Sequence, residues 1–278
     1  MSNVVFKKLK NCLNDRKERS QQRLLLKQIE AGLKKREFKM YLQFIIDNKS
    51  KKIVSAEALS RWQKPSGEII SPAVYISVME RFGLISKLDF YMLDMACRKL
   101  ASWKNTLFSD LSISCNFTRL TISEKDFESK VKAIADKYDF DKSKLLIEIT
   151  EDTNERSLEI AKSNIIKAKE YGFRIALDDI GSGYTSLINL CEYPIDVVKV
   201  DRCILLLSDK QRGEKLFSGI VSLAHNLNLE VVCEGVETEA QNDFVSKSDC
   251  DYIQGWYYSK PIDEIVAEDF AKEYISKN

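Results

Sequence analysis

The sequence has little histidine and no paired cysteines. Its 278 residues include one histidine, His225, and seven scattered cysteines without a C-x-x-C pair. An odd number of widely spaced cysteines argues against a disulfide framework and is typical of a reducing, cytoplasmic setting. Cys97, Cys115, Cys203 and Cys233 lie in apolar runs and are predicted to be small core residues.

Long hydrophobic runs are also missing. No segment approaches the roughly 18 apolar residues that a membrane span requires, and the first residues lack the apolar core of a secretory signal. We see no internal repeat, low-complexity tract or interdomain linker. The hydrophobic fraction of 44% allows a sizeable core, and the length suits one barrel of about 250 residues with a short extension.

The net charge of +1 conceals an uneven distribution along the chain. Residues 1–39 hold 12 Lys/Arg and 4 Asp/Glu, a balance of +8, which leaves −7 for the remainder. We predict a basic helical extension over residues 1–21 and one large domain over residues 22–278. The extension is either a solvated helix face or a contact for a membrane or nucleic acid. It lacks the interleaved aromatic residues of a nucleic-acid arm, so no direct nucleic-acid partner is expected.

Seven predicted strands carry polar residues that strand packing does not need. These residues are Glu57, Asn116, Glu148, Asp178 with Asp179, Lys199 with Asp201, Glu234 and Gln254. A charged group inside an apolar run is costly unless it is paired or binds a metal. The gaps from Glu57 to Gln254 are 59, 32, 30, 21, 35 and 20 residues, and most fit one strand–helix unit of a parallel α/β fold. A (β/α)8 barrel would gather these polar ends at one face.

The local patterns agree with an α/β barrel. Residues 38–47 and 52–59 read as strands joined by a polar turn, so the first strand is predicted to run antiparallel to the second. Helical patterns are predicted at residues 4–13, 20–35, 72–83, 87–105, 124–137, 154–171, 185–192, 210–227 and 238–246. The alternation of strands and helices predicts a (β/α)8, TIM-like barrel with an antiparallel first strand.

The acidic residues and the single amide suggest a site for hard metal ions. Glu57, Asn116, Glu148 and Glu234, with the Asp178–Asp179 pair, offer only oxygen ligands, which favour Mg²⁺ or Mn²⁺ over Zn²⁺. Two such ions about 3.5–4 Å apart could clamp a phosphodiester. Any one of these acids taken alone would more simply form a salt bridge or a helix cap.

Lys199 lies in a valine-rich predicted strand, and the packing of such a strand does not require a lysine. Strand alternation puts Lys199 and Asp201 on one face, so Asp201 is predicted to keep the ammonium charged and oriented. Lys199 would then orient an attacking water or stabilise charge on phosphate, unless it forms only a core ion pair. Arg61 is either a phosphate clamp or a surface arginine. The glycines of Gly181-Ser182-Gly183 indicate a mobile loop or amides that approach phosphate, although such a turn is a weak signal.

Together these motifs resemble one family. Glu57-Ala58-Leu59-Ser60-Arg61-Trp62 is similar to the signature of the EAL family of bacterial cyclic di-GMP phosphodiesterases. The likeness continues through Asn116, Ile147 to Glu151, Asp178 to Tyr184, Val198 to Arg202, Cys233 to Thr238 and Gln254-Gly255-Trp256, and it covers about residues 22–265. Ile180 and Ser182 stand where the family usually has Phe and Thr.

The resemblance implies a reaction and a role for each motif residue. The reaction is hydrolysis of cyclic di-GMP to linear pGpG with two Mg²⁺ or Mn²⁺ ions. Glu57, Asn116, Glu148 and Asp178 would hold one ion, and Asp178, Asp179 and Glu234 the second. Lys199 would contact the nucleophilic water, with Glu234 as general base. The resemblance further assigns Glu151 to positioning the glycine loop, Glu237 to the catalytic set, and Gln43, Leu59, Arg61, Asp201 and Gln254 to the substrate.

Two readings of the function stay open at this point. The first is an active phosphodiesterase that acts as a cytoplasmic homodimer, with membrane contact through the basic N-terminus not expected. The second is a catalytically silent EAL protein that serves as a cyclic di-GMP receptor or a protein-binding regulator. Silent members typically lose metal ligands or the lysine, and this sequence retains them.

Overall fold

A computed structural model describes residues 21–149, 158–182 and 189–277, without the side chains of residues 158 and 189. These residues divide into two compact units. Unit 1 comprises residues 21–39 and 60–88, and unit 2 comprises residues 40–59 and 89–277. The predicted helix at residues 4–13 lies outside the described residues.

Eight of the ten strands in the described part of the chain form one closed ring. The ten strands are β1 Phe38–Asp47, β2 Ile53–Gln63, β3 Ile69–Ile70, β4 Ser112–Phe117, β5 Leu145–Ile149, β6 Arg174–Ile180, β7 Val197–Val200, β8 Glu230–Cys233, β9 Tyr252–Gln254 and β10 Ile262–Asp263. The order is β10-β1-β9-β8-β7-β6-β5-β4-β2-β3, and pairing of β1 with β2 closes the ring. Neighbours from β2 through β4 to β9 are parallel, whereas β1 runs antiparallel to β9. The predicted barrel with an antiparallel first strand is confirmed.

Helices alternate with the barrel strands. Residues 21–34 form α1, followed by α2 Pro72–Arg81, α3 Ile85–Trp103, α4 Arg119–Ile122, α5 Phe127–Ala135, α6 Leu158–Glu170, α7 Asn189–Glu192, α8 Arg202–Leu205, α9 Gln211–Asn226, α10 Glu239–Ser246 and α11 Glu264–Lys277. The predicted segments match the longer helices, but α11 and the short α4 and α8 were not predicted. Among the described residues, no helix has the length and apolar character to cross a bilayer.

Inside the barrel, side chains from neighbouring strands form layers. One apolar cluster contains Ile45, Leu146, Ala176, Val197 and Val232, all buried. We call it the lower layer. Because side chains on a strand alternate between its two faces, the residue two positions further along points to the same face. On β5, β6 and β7 and just after β8, that next residue is Glu148, Asp178, Lys199 or Glu234. The sequence therefore stacks a layer of these ionisable residues, which we call the upper layer, on the apolar one.

Unit 1 has its own aromatic core. Phe38 stacks on Trp62 at 5.4 Å between ring centroids, and Tyr75 meets Phe38 edge-on at 5.2 Å. The Trp62 indole donates a hydrogen bond to Glu37 at 2.9 Å, so its one polar atom is satisfied. These contacts hold α2 against the last residues of β2.

Candidate active site

The centre of the site is Lys199 on β7. Its side chain is only 2% exposed. The ammonium lies 2.7 Å from Glu234, 3.2 Å from Glu148, 3.3 Å from Asp178 and 3.4 Å from Glu57. Three carboxylates from three separate strands and one from the residue after β8 thus converge on one cation. Burial alone would lower the pKa of Lys199, but these carboxylates raise it well above its usual value, so the lysine stays charged.

Amide side chains complete the surroundings of Glu57. Asn116 donates to one carboxylate oxygen at 2.6 Å, and Gln254 donates to the other at 2.6 Å. Gln254 lies 3.4 Å from the Gln43 amide oxygen, and Gln43 itself donates to Ser259 O at 3.1 Å. The network therefore links β1, β2, β4 and β9 around one carboxylate. The structure brings together Glu57, Asn116 and Gln254, which the sequence pattern placed in one site, and Gln43, which the resemblance assigned to the substrate.

A bulge on β6 brings two consecutive aspartates to the same site. The pairing of β6 with β7 shifts between Leu177 and Ile180, and Asp179 has a left-handed φ of 61°. Regular alternation would send Asp178 and Asp179 to opposite faces, but a bulge re-aims the extra side chain. Carboxylate oxygens of Asp178, Asp179 and Glu234 lie within 4.8 Å of one another. Aspartate tolerates the left-handed region better than most residues, which suits it to this position.

The charges within this cluster do not balance. Burial raises the pKa of Glu148 well above its usual value and that of Glu234 to about 8. Burial and the neighbouring Asp178 likewise raise the pKa of Asp179. Burial alone would also raise the pKa of Glu57, but Lys199 and the amides of Gln254 and Asn116 lower it instead. One ammonium is therefore not enough to compensate the carboxylates around it.

This imbalance fits a site for divalent cations. The donors are carboxylate and amide oxygens, which Mg²⁺ and Mn²⁺ prefer. Gln254 Oε1 is buried and has no hydrogen-bond partner among the described residues, so it is a further unused oxygen. Cations bound between the carboxylates would supply the positive charge that Lys199 alone does not. The residues present therefore fit the two ions that the sequence predicted.

Several predicted residues have other contacts. Asp201 caps α8 by accepting a hydrogen bond from Cys203 N at 2.8 Å, and the ion pairs described for Lys199 go to other acids. Asp201 therefore has a structural role that the prediction of a Lys199 partner overlooked. Glu237 forms a 2.6 Å ion pair with Arg202, a contact that the spacing did not indicate. Arg61 belongs to unit 1, where it donates to Ser60 O at 2.9 Å. Glu151 and Gly183 lie outside the described residues.

A cleft of about 270 Å³ opens above the charged cluster. Its lining residues are Gln43, Glu57, Leu59, Arg202, Glu234, Gly235, Glu237, Gln254, Gly255 and Trp256. Leu59 and Gln254 were predicted as substrate contacts, and both border this space. The cleft joins the acids at its base to an exposed tryptophan at its rim, and it lies at the end of the barrel where the parallel strands finish.

The chain matches a known family along most of its length. The model of the EAL domain matches residues 26–261. The signaling protein YkoW of Bacillus subtilis is 31% identical over 86% of this chain and 30% of its own length. The cyclic di-GMP phosphodiesterase PdeR of Escherichia coli is 31% identical over 80% of this chain and 34% of its own length. This chain thus spans about a third of the length of these curated relatives.

Solved structures agree with this match. The PaMucR phosphodiesterase, solved as a c-di-GMP complex, has a TM-score of 0.81 and 29% identity, and the match covers 88% of this chain and 99% of that one. The EAL enzyme Bd1971, solved with cAMP and cyclic di-GMP bound, has a TM-score of 0.84 and 25% identity. That match covers 98% of this chain and 74% of the other.

Proposed function

This chain belongs to the EAL domain family, and from that premise we propose that it hydrolyses cyclic di-GMP to linear pGpG. The observation that carries the proposal is the buried Lys199 with four carboxylates within 3.4 Å. Such a cluster costs stability without metal ions, since like charges are held close together in a poorly solvated place. Folding of the barrel does not require such a cluster, whereas hydrolysis of a phosphodiester does require one.

We assign two divalent cations, Mg²⁺ or Mn²⁺, to this cluster. Glu57, Asn116, Glu148 and Asp178 would hold one ion, and Asp178, Asp179 and Glu234 would hold the other. When bound, the two ions would clamp the phosphodiester and lower the pKa of the attacking water. The proximity of the three carboxylates around the second position supports this division.

In this proposal, side chains of the protein itself orient the water and accept its proton. Lys199 keeps its charge and sits at the centre of the acids, where it can orient the water and stabilise negative charge that develops on phosphate. Glu234 is our general base and lies 2.7 Å from Lys199. Bound cations would lower the pKa of Glu234 from about 8 and keep it ionised near neutral pH.

The other predicted residues take supporting roles in this proposal. Gln43, Leu59, Asp201 and Gln254 would contact the dinucleotide. Glu237 would hold Arg202 beside the cleft, and Glu151 would position the loop after β6. We also propose a cytoplasmic homodimer. Sedimentation across a dilution series tests the dimer, and a monomer at every concentration would contradict it.

The direct test is product formation by the pure protein. Incubation with cyclic di-GMP and Mg²⁺ or Mn²⁺ should give pGpG on chromatography, and EDTA should abolish it. Ca²⁺ should support little turnover because its larger radius and looser geometry suit the two-ion clamp poorly.

The same experiment separates the enzyme from a silent receptor. A receptor would bind cyclic di-GMP by calorimetry and release no pGpG with any of these metals. The retained Lys199 and acid cluster support the enzyme, because a receptor has no need of a water-activating centre.

A further inference from the structure

Trp256 is the exposed member of the three tryptophans in this chain. Trp62 is 0% exposed and Trp103 is 2% exposed, whereas Trp256 is 56% exposed. Tryptophan carries the largest apolar surface of any side chain, so leaving it in water forfeits stabilisation that burial would give. The exposed indole is therefore not explained by packing of the barrel.

The backbone that carries Trp256 is held firmly. A Cβ on the preceding residue, Gly255, would lie 2.0 Å from Val236 O, so the loops after β8 and β9 can approach closely only with glycine there. Val236 N donates to Gln254 O at 3.2 Å, and Tyr257 N donates to Val236 O at 2.9 Å. These bonds fix the start of the Trp256 side chain beside Gln254, which itself contacts Glu57.

The indole also has an ordered neighbour. Lys260 Nζ lies 5.3 Å from the centroid of the Trp256 ring, within the range of a cation–π contact. Trp256 lines the cleft together with Glu57 and Glu234, which lie among the buried acids. The cleft thus has an acidic base for a phosphodiester and a flat aromatic surface at its rim.

On the basis of the proposed function, we propose that Trp256 stacks on a guanine base of cyclic di-GMP and is a substrate-binding residue. When the scissile phosphodiester is among the carboxylates, a base attached to the same ribose must extend toward the rim. An exposed indole with a fixed backbone offers it a π-face at low entropic cost, since the side chain has two rotatable bonds. Lys260, beside the indole, would favour an electron-rich, anionic ligand over a cationic one.

Three variants test this proposal. Trp256→Ala should weaken binding of cyclic di-GMP by about 5- to 150-fold, the range found when an aromatic partner of a base is removed. The loss should appear in KM more than in kcat, because stacking holds substrate and transition state alike. Trp256→Phe should recover most of the affinity. The control is Ile265→Ala, which removes an apolar side chain that is 80% exposed and does not line the cleft.

Fluorescence gives an independent readout. Because Trp62 and Trp103 are buried, quenching by acrylamide reports mainly on Trp256. In Ca²⁺, where turnover should be slow, cyclic di-GMP should change the emission of the wild type and protect it from acrylamide. The Trp256→Phe variant should lose that response while it still binds the dinucleotide by calorimetry.

The outcomes separate this inference from the proposed hydrolysis. Turnover by the wild type with no fluorescence response and no effect of Trp256→Ala would overturn the stacking alone. Binding with the response but no pGpG would support the stacking and contradict the hydrolysis. A wild type that neither binds nor hydrolyses cyclic di-GMP would contradict both. An affinity loss of the same size in Ile265→Ala would show a general surface effect and also overturn the proposal.

Discussion

The two layers inside the barrel are built from the same strands and behave in opposite ways. The lower layer of Ile45, Leu146, Ala176, Val197 and Val232 is apolar and buried. Two residues further along β5 or β7 the side chain is Glu148 or Lys199, which is equally buried but ionisable. Burial stabilises the first layer through the hydrophobic effect and penalises the second through lost solvation.

Charged groups near the lower layer are paired differently from those in the upper layer. Arg174 and Glu230 form a 2.6 Å ion pair there, with side chains 29% and 40% exposed. Each charge has one partner of opposite sign and some access to water. In the upper layer one ammonium faces four carboxylates. The comparison teaches that the lower layer favours stability, whereas the upper layer holds the proposed active site, as expected at the two ends of a TIM barrel.

The largest effect should come from the upper layer. Lys199→Ala should reduce turnover by roughly 10²-fold or more, similar to the removal of one preorganised electrostatic donor. Initial rates of pGpG formation at saturating Mg²⁺ measure the change, with circular dichroism to confirm folding. Glu57→Ala should give a loss of similar size. A folded Lys199→Ala protein with wild-type turnover would show that the lysine is only a core ion pair.

In the lower layer the expected effect is on stability instead. Leu146→Ala should lower the free energy of unfolding by about 2–3 kcal/mol, near the low end for such truncations. Leu146 already borders a cavity of about 230 Å³, so less packing is lost than at a tightly filled position. Urea denaturation measures the change, and kcat of the folded fraction should stay close to wild type. A large fall in kcat would mean that the two layers are not separable.

The pH dependence of stability should also distinguish the layers when metal is removed by EDTA. Burial raises the pKa of Glu234 in the folded protein to about 8, against an ordinary value of 4.5. Between these values the folded state keeps a proton that the unfolded state loses, so stability should fall as pH rises from about 4.5 to 8. Thermal melts across this range measure the slope.

Matched variants sharpen that measurement. Glu234→Gln should reduce the slope, and saturating Mg²⁺ should do the same by compensating the ionised carboxylates. Leu146→Ala should lower the melting temperature at every pH and leave the slope unchanged. A metal-free wild type whose stability rises with pH over this range would refute the charge imbalance.

The smallest effect should follow from a deletion outside both layers. Removing residues 1–18 should leave barrel stability and turnover nearly unchanged, because β1 begins at Phe38 and the first site residue is Gln43. The control is the full-length chain at the same concentration and salt. A shortened protein that fails to fold would show that Val5, Phe6 and Leu9 contribute to the core.

The sequence alone determined the fold class and the identity of most site residues. Polar residues at strand ends and regular strand–helix spacing are local signals, and the EAL-like motifs made them specific. The long helices other than α11 followed from their apolar periodicity. The short α4 and α8 did not, since four residues are too few for a periodic pattern. The helix α11 was missed because its apolar residues do not all lie on one buried face: Ile265, Val266 and Ile275 are exposed.

Only the tertiary structure decided how these residues act together. The polar residues on successive strands predicted that Lys199 joins one convergent site, but its partners come from β2, β5, β6 and the residue after β8, which no local pattern can pair. The bulge that brings Asp179 beside Asp178 depends on the register with β7. Asp201 caps a helix instead of pairing with Lys199, and Trp256 stays in water at the rim of the cleft. Sequence fixes which groups are available, whereas burial and distance, which set their pKa and their partners, arise only when the barrel closes.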